Sequence, residues 1–175
     1  EIDYIKKASN TTERLAGMVE SLLDINRLER GEMQLGIGPV DLLPLIEETV
    51  ETFLDLAADK RIAVHVVSLP VSVSCDRDVI GRVLANLLSN AITFTPSGGD
   101  VTILPERVDE GVRITVSDTG PGLAPEYHEA VFELYRQVEV KAHSTGLGLT
   151  FCKLAVEAHG GTIGVESEQG KGCAF

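Results

Sequence analysis

Apolar residues near the start of the chain recur at the spacing of one long helix. Between residues 2 and 30 they return every three or four positions, and Met18, Leu23 and Ile25 broaden the stripe, so the pattern predicts one amphipathic helix. Gly31 follows as a predicted helix stop. Because so broad a stripe favours more than one neighbour, we expect a helical bundle; contact with its own domain alone is the alternative.

Beyond Gly31, strand-like alternation and helical periodicity follow one another. Asp41 is the expected cap of the next helix, and a later hairpin closes near Asp109, Glu110 and Gly111. The pattern predicts helices over 42–60, 76–94 and 146–159, a hairpin over 101–118, and further strands over 33–40, 62–68, 71–76, 161–167 and 172–175. This order of helices and hairpins indicates an α+β sandwich, a sheet covered on one face by helices.

The charge balance narrows the class of partner. The chain has 15 Lys and Arg against 27 Asp and Glu, a net charge of −12, and because nucleic-acid-binding proteins usually have the opposite sign, we expect no nucleic-acid partner. A phosphate site would therefore need local backbone N–H groups or a metal ion. Cys75, Cys152 and Cys173 lack metal-ligand spacing and are expected to be reduced thiols, packed as small apolar side chains.

Two glycine clusters are candidates for a phosphate or nucleotide site. They are DTGPGL at 118–123 and STGLGL at 144–149, and the second opens a predicted helix, where free N–H groups and the helix dipole favour anions. A dinucleotide fingerprint would need a third glycine at Pro125 or Phe151, and no P-loop spacing is present. Taken alone, each cluster is equally consistent with a tight turn.

A pair of asparagines precedes both clusters. Asn86 and Asn90 are four residues apart on a predicted helix and therefore lie on one face of it. Their amide oxygens could hold Mg²⁺ if phosphate oxygens and waters supplied the other ligands. Two asparagines on a solvated helix face are the alternative when the pair is considered by itself.

In combination, these segments resemble one family. The order Asn-x-x-x-Asn, Asp-x-Gly-x-Gly, Phe-x-x-Tyr and Gly-x-Gly over residues 31–175 is similar to the catalytic domain of sensor histidine kinases, in the ATPase superfamily shared with gyrase and Hsp90. The resemblance implies a Bergerat-type two-layer α/β sandwich with a mixed sheet, preceded by one long helix. Residues 1–31 would be the second helix of the dimerisation and phosphotransfer domain, and residues 32–175 the ATP-binding domain.

The resemblance also implies roles for individual residues. Asn90 would coordinate a Mg²⁺ that bridges the phosphates, Asp118 would accept a hydrogen bond from the adenine amino group, and Phe94 would pack near the base. Asn86 occupies the position of a general-base Glu in gyrase-like relatives, and its amide fits a reaction whose nucleophile comes from another domain. The other residues implied to contact ATP are Gly120, Gly122, Leu123, Tyr135, Arg136, Lys141, Thr145, Gly146, Leu147, Gly148 and Leu149.

A lid is implied between the two glycine clusters. Phe132 and Tyr135 would hinge a segment from Arg136 to Thr145 that closes on the nucleotide. The chain departs from the family at Thr93, where a basic residue is usual, and at Ser144, where glycine is frequent. Thr93 predicts weaker phosphate binding unless Arg136 or Lys141 substitutes for the missing cation.

The phosphoacceptor histidine of the family has no counterpart in the chain. His65, His128, His143 and His159 all lack its sequence context, and we expect structural roles for them. The resemblance therefore implies transfer of the ATP γ-phosphoryl to a histidine on the first helix of the dimerisation domain, then to an aspartate of a response-regulator receiver domain. The parent protein would be a homodimer.

Two other functions are compatible with parts of the sequence. A Ser/Thr kinase of the anti-sigma type shares the nucleotide motifs, but the long first helix argues against it. A nucleotide-binding scaffold without phosphotransfer is favoured only by Thr93. The chain opens within a helical pattern and stops within a strand pattern, so we expect a piece of a longer protein. For this domain we expect the cytoplasm, with inner-membrane anchoring of the parent left open.

Overall fold

Four helices and seven strands make up the regular structure of the described residues. The structure is a computed structural model that describes residues 2–109, 111–134 and 146–175, with side chains of α1 described at residue 12 and from residue 15 onward. The helices are α1 (Ile2–Glu29), α2 (Leu42–Lys60), α3 (Arg77–Phe94) and α4 (Gly148–Ala158). The strands are β1 (Gly38–Asp41), β2 (Ala63–Val66), β3 (Ser72–Cys75), β4 (Asp100–Val108), β5 (Gly111–Asp118), β6 (Glu166–Glu168) and β7 (Gly172–Ala174).

The larger sheet is mixed. Its strand order is β2-β4-β5-β7-β6, in which β2 and β4 are parallel while the remaining neighbours are antiparallel. Two short 3₁₀ turns, Pro125–Tyr127 and Ala130–Phe132, follow β5. Strands β1 and β3 form a separate antiparallel pair. The register of β4 and β5 places Asp118 opposite Val101, at the end of the sheet where β5 meets the first glycine cluster.

The core lies between this sheet and the helices. Val101, Ile103 and Val116 of the sheet are buried against apolar residues of α3 and α4, which include Ile92 and Phe151. This amphipathic match of strands and helices stabilises the fold, because each element buries its apolar side against the other. The α+β sandwich predicted from the sequence is confirmed.

Three local predictions were wrong. Residues 33–37 are not part of β1, and the N–H of Gly36 donates instead to Asp76 Oδ2 at 2.7 Å. Residues 161–165 are not a strand, because β6 pairs only with the three residues of β7. Asp41 has the backbone conformation of a cap, yet its side chain makes no capping hydrogen bond and instead accepts from Ser72 Oγ.

Among the side chains of α1 that the structure describes, those of the last turns contact the sandwich. Ile25 and Leu28 are buried, and Asp24 Oδ2 lies 2.6 Å from Arg82 Nη1 on α3. The Arg82 guanidinium in turn lies 4.3 Å from the centre of the Phe151 ring on α4. Leu15 and Val19 are more than half exposed, at 57% and 56%. Across the part of the chain that the structure describes, no helix combines the length and apolarity needed to cross a membrane.

Candidate functional site

Asp118 is a half-buried carboxylate at the end of β5. Its Oδ1 accepts a hydrogen bond of 2.7 Å from the backbone N–H of Gly120. Burial raises the pKa of this carboxyl, while hydrogen bonds from the backbone N–H groups of Gly120 and Cys173 act in the opposite direction. A partly desolvated carboxylate is suited to accept a hydrogen bond from a neutral donor such as an amino group.

The glycines around Asp118 permit close approach of backbone segments. A Cβ at Gly120 would lie 2.6 Å from Asp118 Oδ1 and 3.4 Å from the carbonyl oxygen of Phe94. Gly122 has a φ of +68°, and a Cβ there would lie 2.1 Å from the carbonyl oxygen of Glu168. Since real Cβ atoms do not approach oxygen so closely, a side chain at Gly122 would require movement of the Glu168 backbone, and one at Gly120 would displace the Asp118 carboxylate.

Gly172 is a functional candidate that the sequence reasoning missed. Its φ is +89°, and a Cβ there would lie 1.8 Å from the carbonyl oxygen of Asp118. Ser167 was also missed: its Oγ accepts from the N–H of Leu123 at 2.7 Å and donates to the carbonyl of Gly172 at 2.7 Å. Neither residue belongs to a recognisable motif, and only the pairing of β6, β7 and β5 brings them to the first glycine cluster.

Asn86, a residue of α3, lies beside the start of α4. Its Oδ1 would be 3.1 Å from a Cβ at Gly148, the first residue of that helix. Asn86 also hydrogen-bonds the thiol of Cys152, whose pKa is raised by burial to about 12. Cys152 is fully buried and its Sγ donates to the carbonyl of Val83 at 3.7 Å. The contacts of Asn86 with Gly148 and Cys152 therefore hold the middle of α3 against the second glycine cluster. The Cys152 thiol is the inert apolar group expected from the sequence.

The second glycine cluster enters α4 through a left-handed turn. Gly146 has a φ of +69°, Leu147 is buried, and Leu149 packs against the core. Their side chains therefore pack in the core. An eleven-residue helix begins here, and the first N–H groups of a helix, which have no acceptor within the helix, attract phosphate oxygens.

Asn90 fits a metal site that the nucleotide completes. It is half-buried, one turn beyond Asn86 on the same face of α3. The described residues include no group of three or more His, Cys, Asp or Glu side chains that could hold a metal ion. If a Mg²⁺ bound here, the Asn90 amide oxygen could serve as a protein ligand beside phosphate oxygens and waters.

Helix α3 connects the two glycine clusters. Asn86 lies beside Gly148, and the carbonyl of Phe94 lies beside Gly120. Phe94 follows Asn86 by eight positions, which corresponds to about 12 Å of helix at 1.5 Å per residue. This separation is comparable to that between the base and the outer phosphates of an extended nucleoside triphosphate. The arrangement can therefore bind the two ends of one nucleotide.

Part of the predicted site cannot be located. Tyr135, Arg136, Lys141 and Thr145, together with the lid they were predicted to form, lie outside the described residues. The predicted hinge residue Phe132 is described: it is buried, and its ring meets that of Phe175 edge-on at 6.2 Å between centroids.

The described histidines have different surroundings. Nε2 of His159 accepts from the N–H of Asp76 at 3.0 Å and so links the end of α4 to the start of α3, while Nδ1 donates to the carbonyl of Ala155 within α4 at 2.7 Å. His65 Nε2 lies 3.0 Å from Asp100 Oδ1. His128 is half-buried between the 3₁₀ turns, and His143 lies outside the described residues. The contacts of His159 and His65 are those of structural residues.

Comparison with known proteins identifies the family. Residues 75–175 match the family described as histidine kinase-, DNA gyrase B-, and HSP90-like ATPase. The chain is 40% identical over 172 residues to hybrid signal transduction histidine kinase D of Dictyostelium discoideum, which covers 92% of the chain and 11% of that protein.

Solved structures of histidine kinases have the same fold. Full-length ShkA in complex with AMPPNP superposes with a TM-score of 0.86 at 31% identity, over 99% of this chain and 37% of that one. Histidine kinase ThkA in complex with the response regulator protein TrrA superposes with a TM-score of 0.77 at 26% identity, over 98% of this chain and 48% of that one. The chain therefore belongs to the histidine kinase-, DNA gyrase B- and HSP90-like ATPase family, as an ATP-binding catalytic domain of the sensor histidine kinase type.

Proposed function

We propose that this domain binds Mg²⁺-ATP between α3 and the two glycine clusters and transfers the γ-phosphoryl to a histidine of a dimerisation domain. The observation that supports this most strongly is the contact of α3 with both clusters, at Gly148 through Asn86 and at Gly120 through Phe94. One helix thus spans a base site and a phosphate site. The structure of ShkA in complex with AMPPNP supports a nucleotide as the ligand.

Each end of the nucleotide would meet a different chemistry. At the base end, the Asp118 carboxylate accepts a hydrogen bond from the adenine amino group, which guanine cannot supply at that position. At the phosphate end, Asn90 holds the Mg²⁺, which neutralises phosphate charge when bound. The N–H groups at the start of α4 bind phosphate oxygens, and Gly146 and Gly148 allow the backbone to approach them.

The reaction needs no base from Asn86. A ring nitrogen of the acceptor histidine attacks the γ-phosphorus, the bond from phosphorus to the bridging oxygen of ADP breaks, and ADP leaves. Because imidazole has a free electron pair in its neutral form, an amide in the position of a general base suffices. We assign to Asn86 the role of positioning the start of α4, through its contacts with Gly148 and Cys152.

The partners follow from this reaction. Residues 1–31 belong to a dimerisation domain and residues 32–175 to the ATP-binding domain; the parent protein is a homodimer that passes phosphate to a response-regulator receiver domain. The complex of ThkA with its response regulator supports this partner class. The chain spans only 11% of its Dictyostelium relative, so these partners are proposed for the parent protein.

Calorimetric titration with ATP and with adenosine tests the two ends separately. Asn90→Ala is expected to weaken ATP by at least about tenfold through loss of a Mg²⁺ ligand, and to leave adenosine unchanged. Asp118→Asn is expected to weaken both ligands by about tenfold to a hundredfold, as for loss of a hydrogen bond to a charged group. Asn26→Ala and Asp109→Asn, at exposed positions, are the matched controls. Unchanged ATP binding in both site variants would exclude this site.

A further inference from the structure

The C-terminal end of α3 is held by a lysine from another helix. The last carbonyl groups of a helix have no partner within it. In α3, the carbonyl of Ala91 accepts from the backbone N–H and the Oγ1 of Thr95. Lys60 Nζ donates to the carbonyls of Ile92, Thr93 and Thr95 at 2.5, 2.8 and 3.1 Å. An ammonium has three N–H donors, so it can donate to all three of these carbonyls.

The backbone of α2 places Lys60 at this position. Lys60 is the last residue of α2, and the following Arg61 turns the chain with a φ of +57°. The carbonyl of Arg61 then accepts from the N–H of Gly98 at 3.1 Å. The two helix ends are therefore joined by backbone as well as by the lysine. A cation at this end also interacts favourably with the negative end of the α3 dipole.

The turn that leaves α3 contacts the segment of Asp118. Thr95 is buried, and a Cβ at Gly99 would lie 2.4 Å from Thr95 Cγ2 and 2.6 Å from Thr119 Oγ1. Thr119 directly follows Asp118 and its Oγ1 accepts from the N–H of Asp100 at 2.9 Å. Phe94, between two of the carbonyls bound by Lys60, lies against Gly120 through its own carbonyl. A shift of the end of α3 would therefore displace the backbone around the Asp118 carboxylate.

We infer that Lys60 is a positioning residue for the base end of the nucleotide site: its ammonium holds the end of α3 so that Phe94 and Gly120 keep Asp118 aligned with the adenine amino group. This role rests on the proposed function, because it presumes that adenine binds at Asp118. Lys60 acts through the carbonyls of α3 and needs no contact with the nucleotide. Its loss should therefore affect recognition of the base more than recognition of the phosphates.

Three variants separate this role from general stabilisation. Lys60→Met removes the donors, Lys60→Arg retains a cation with several donors, and Lys153→Met removes an exposed lysine of α4. Affinities for ATP, GTP and adenosine are measured by calorimetry at a temperature where circular dichroism shows each variant folded. Lys60→Met should weaken ATP and adenosine by the same factor, about tenfold, and reduce the preference for ATP over GTP. Lys60→Arg should restore most of that preference, and Lys153→Met should match the unmodified chain.

The opposite results would overturn the inference. A lower melting temperature for Lys60→Met with an unchanged ratio of ATP to GTP affinity would leave Lys60 a structural cap only. Weaker ATP with unchanged adenosine would instead place its effect at the phosphates. If Lys60→Met does not fold, Lys60→Gln, which keeps two N–H donors without the charge, replaces it. Its affinities for ATP, GTP and adenosine are then measured and judged in the same way. Failure of the proposed function is seen separately, because the unmodified chain would then show no preference for ATP over GTP.

Discussion

At the scale of single residues, Asp118 is surrounded by backbone groups of the first glycine cluster and of β7. Its carbonyl faces Gly172, its Oδ1 receives the N–H of Gly120, and Cys173 also donates to the carboxylate. Burial disfavours the charged form more than these two donors favour it, so the pKa is raised. A nucleotide amino group would add a further hydrogen bond to this carboxylate.

The raised pKa of Asp118 predicts an unusual pH dependence of base binding. The ionised carboxylate accepts from the adenine amino group, whereas the protonated form does not do so equally well. Adenosine affinity should therefore fall as the pH decreases through the raised pKa, before the ordinary aspartate value of about 3.9 is reached. Titrations with adenosine avoid ionisation of the ATP phosphates, and Asp118→Asn should abolish this dependence. An affinity that stays constant down to the ordinary range would contradict the assignment.

The Asp118 carboxyl also makes the free energy of unfolding depend on pH in a definite direction. Because the pKa is higher in the folded than in the unfolded chain, the folded state retains its proton to higher pH. Its contribution to folding is therefore most favourable at low pH and declines as the pH rises from about 3.9 through the raised pKa. Such a residue lowers stability at neutral pH, which is common where a site is arranged for a ligand.

At the scale of elements, α3 is supported at both ends by residues from outside it. Its N-terminal cap is Asp76, whose Oδ1 accepts from the N–H groups of Asp78 and Val79 at 3.1 and 3.0 Å. Asp76 Oδ2 accepts from Gly36, and its own N–H donates to His159. Lys60 holds the opposite end. A helix fixed in this way can present Asn86, Asn90 and the end of Phe94 at constant spacing.

The cap of α3 should contribute measurably to the free energy of unfolding. Asp76→Ala is expected to lower it by about 1–2 kcal/mol, since capping hydrogen bonds are lost. The N–H of Val79 is the largest cause that lowers the pKa of Asp76. The stabilisation is therefore present above about pH 3.9 and is lost as the pH falls through the lowered pKa. Urea unfolding across this range measures it.

Asp76→Asn separates the charge of the capping side chain from its ability to accept hydrogen bonds. Asparagine is also a good capping residue, so this variant should retain most of the stability at neutral pH while losing the contribution to the acid dependence. Equal stability of Asp76→Ala and the unmodified chain at neutral pH would show that Gly36 and His159 support the helix start without the carboxylate.

At the scale of the whole molecule, α1 extends beyond the domain that it contacts. Its end is joined to α3 and α4 through Asp24, Arg82 and Phe151, while Leu15, Val19 and Leu23 are exposed at 57%, 56% and 54%. Apolar side chains exposed at helical spacing favour association with other helices. This geometry agrees with the proposed membership of α1 in a dimerisation domain.

Phosphotransfer in trans tests the proposed reaction at this scale. The chain alone should bind ATP without becoming labelled by radioactive γ-phosphate, because none of its four histidines has the sequence context of a phosphoacceptor. Addition of the complete dimerisation domain of the parent protein should give a labelled product on that domain. The label should be labile in acid and stable in base, as for phosphohistidine. Label on the chain alone would contradict the assignment of its histidines, and an unlabelled added domain would favour a scaffold without phosphotransfer.

The sequence by itself determined the class of fold and the family. Helical period and strand alternation predict α1 to α4 and the hairpin of β4 and β5, because each buries an apolar side whose spacing is set by local geometry. The order of Asn90, Asp118 and the glycine clusters predicts the nucleotide site. The periodic patterns and the order of the motifs can both be read along the chain without knowledge of packing, which is why one sequence suffices to find them.

Only the tertiary structure decided which distant residues complete the site. Gly172 meets Asp118 because β7 pairs with β5, and Ser167 meets Leu123 because β6 pairs with β7. Lys60 reaches the end of α3 across more than thirty intervening residues, and no spacing rule predicts that contact. The lengths of β1 and β6 were also decided by available partner strands. Long-range pairing depends on how elements pack together, and residue patterns within one element contain no information on that arrangement.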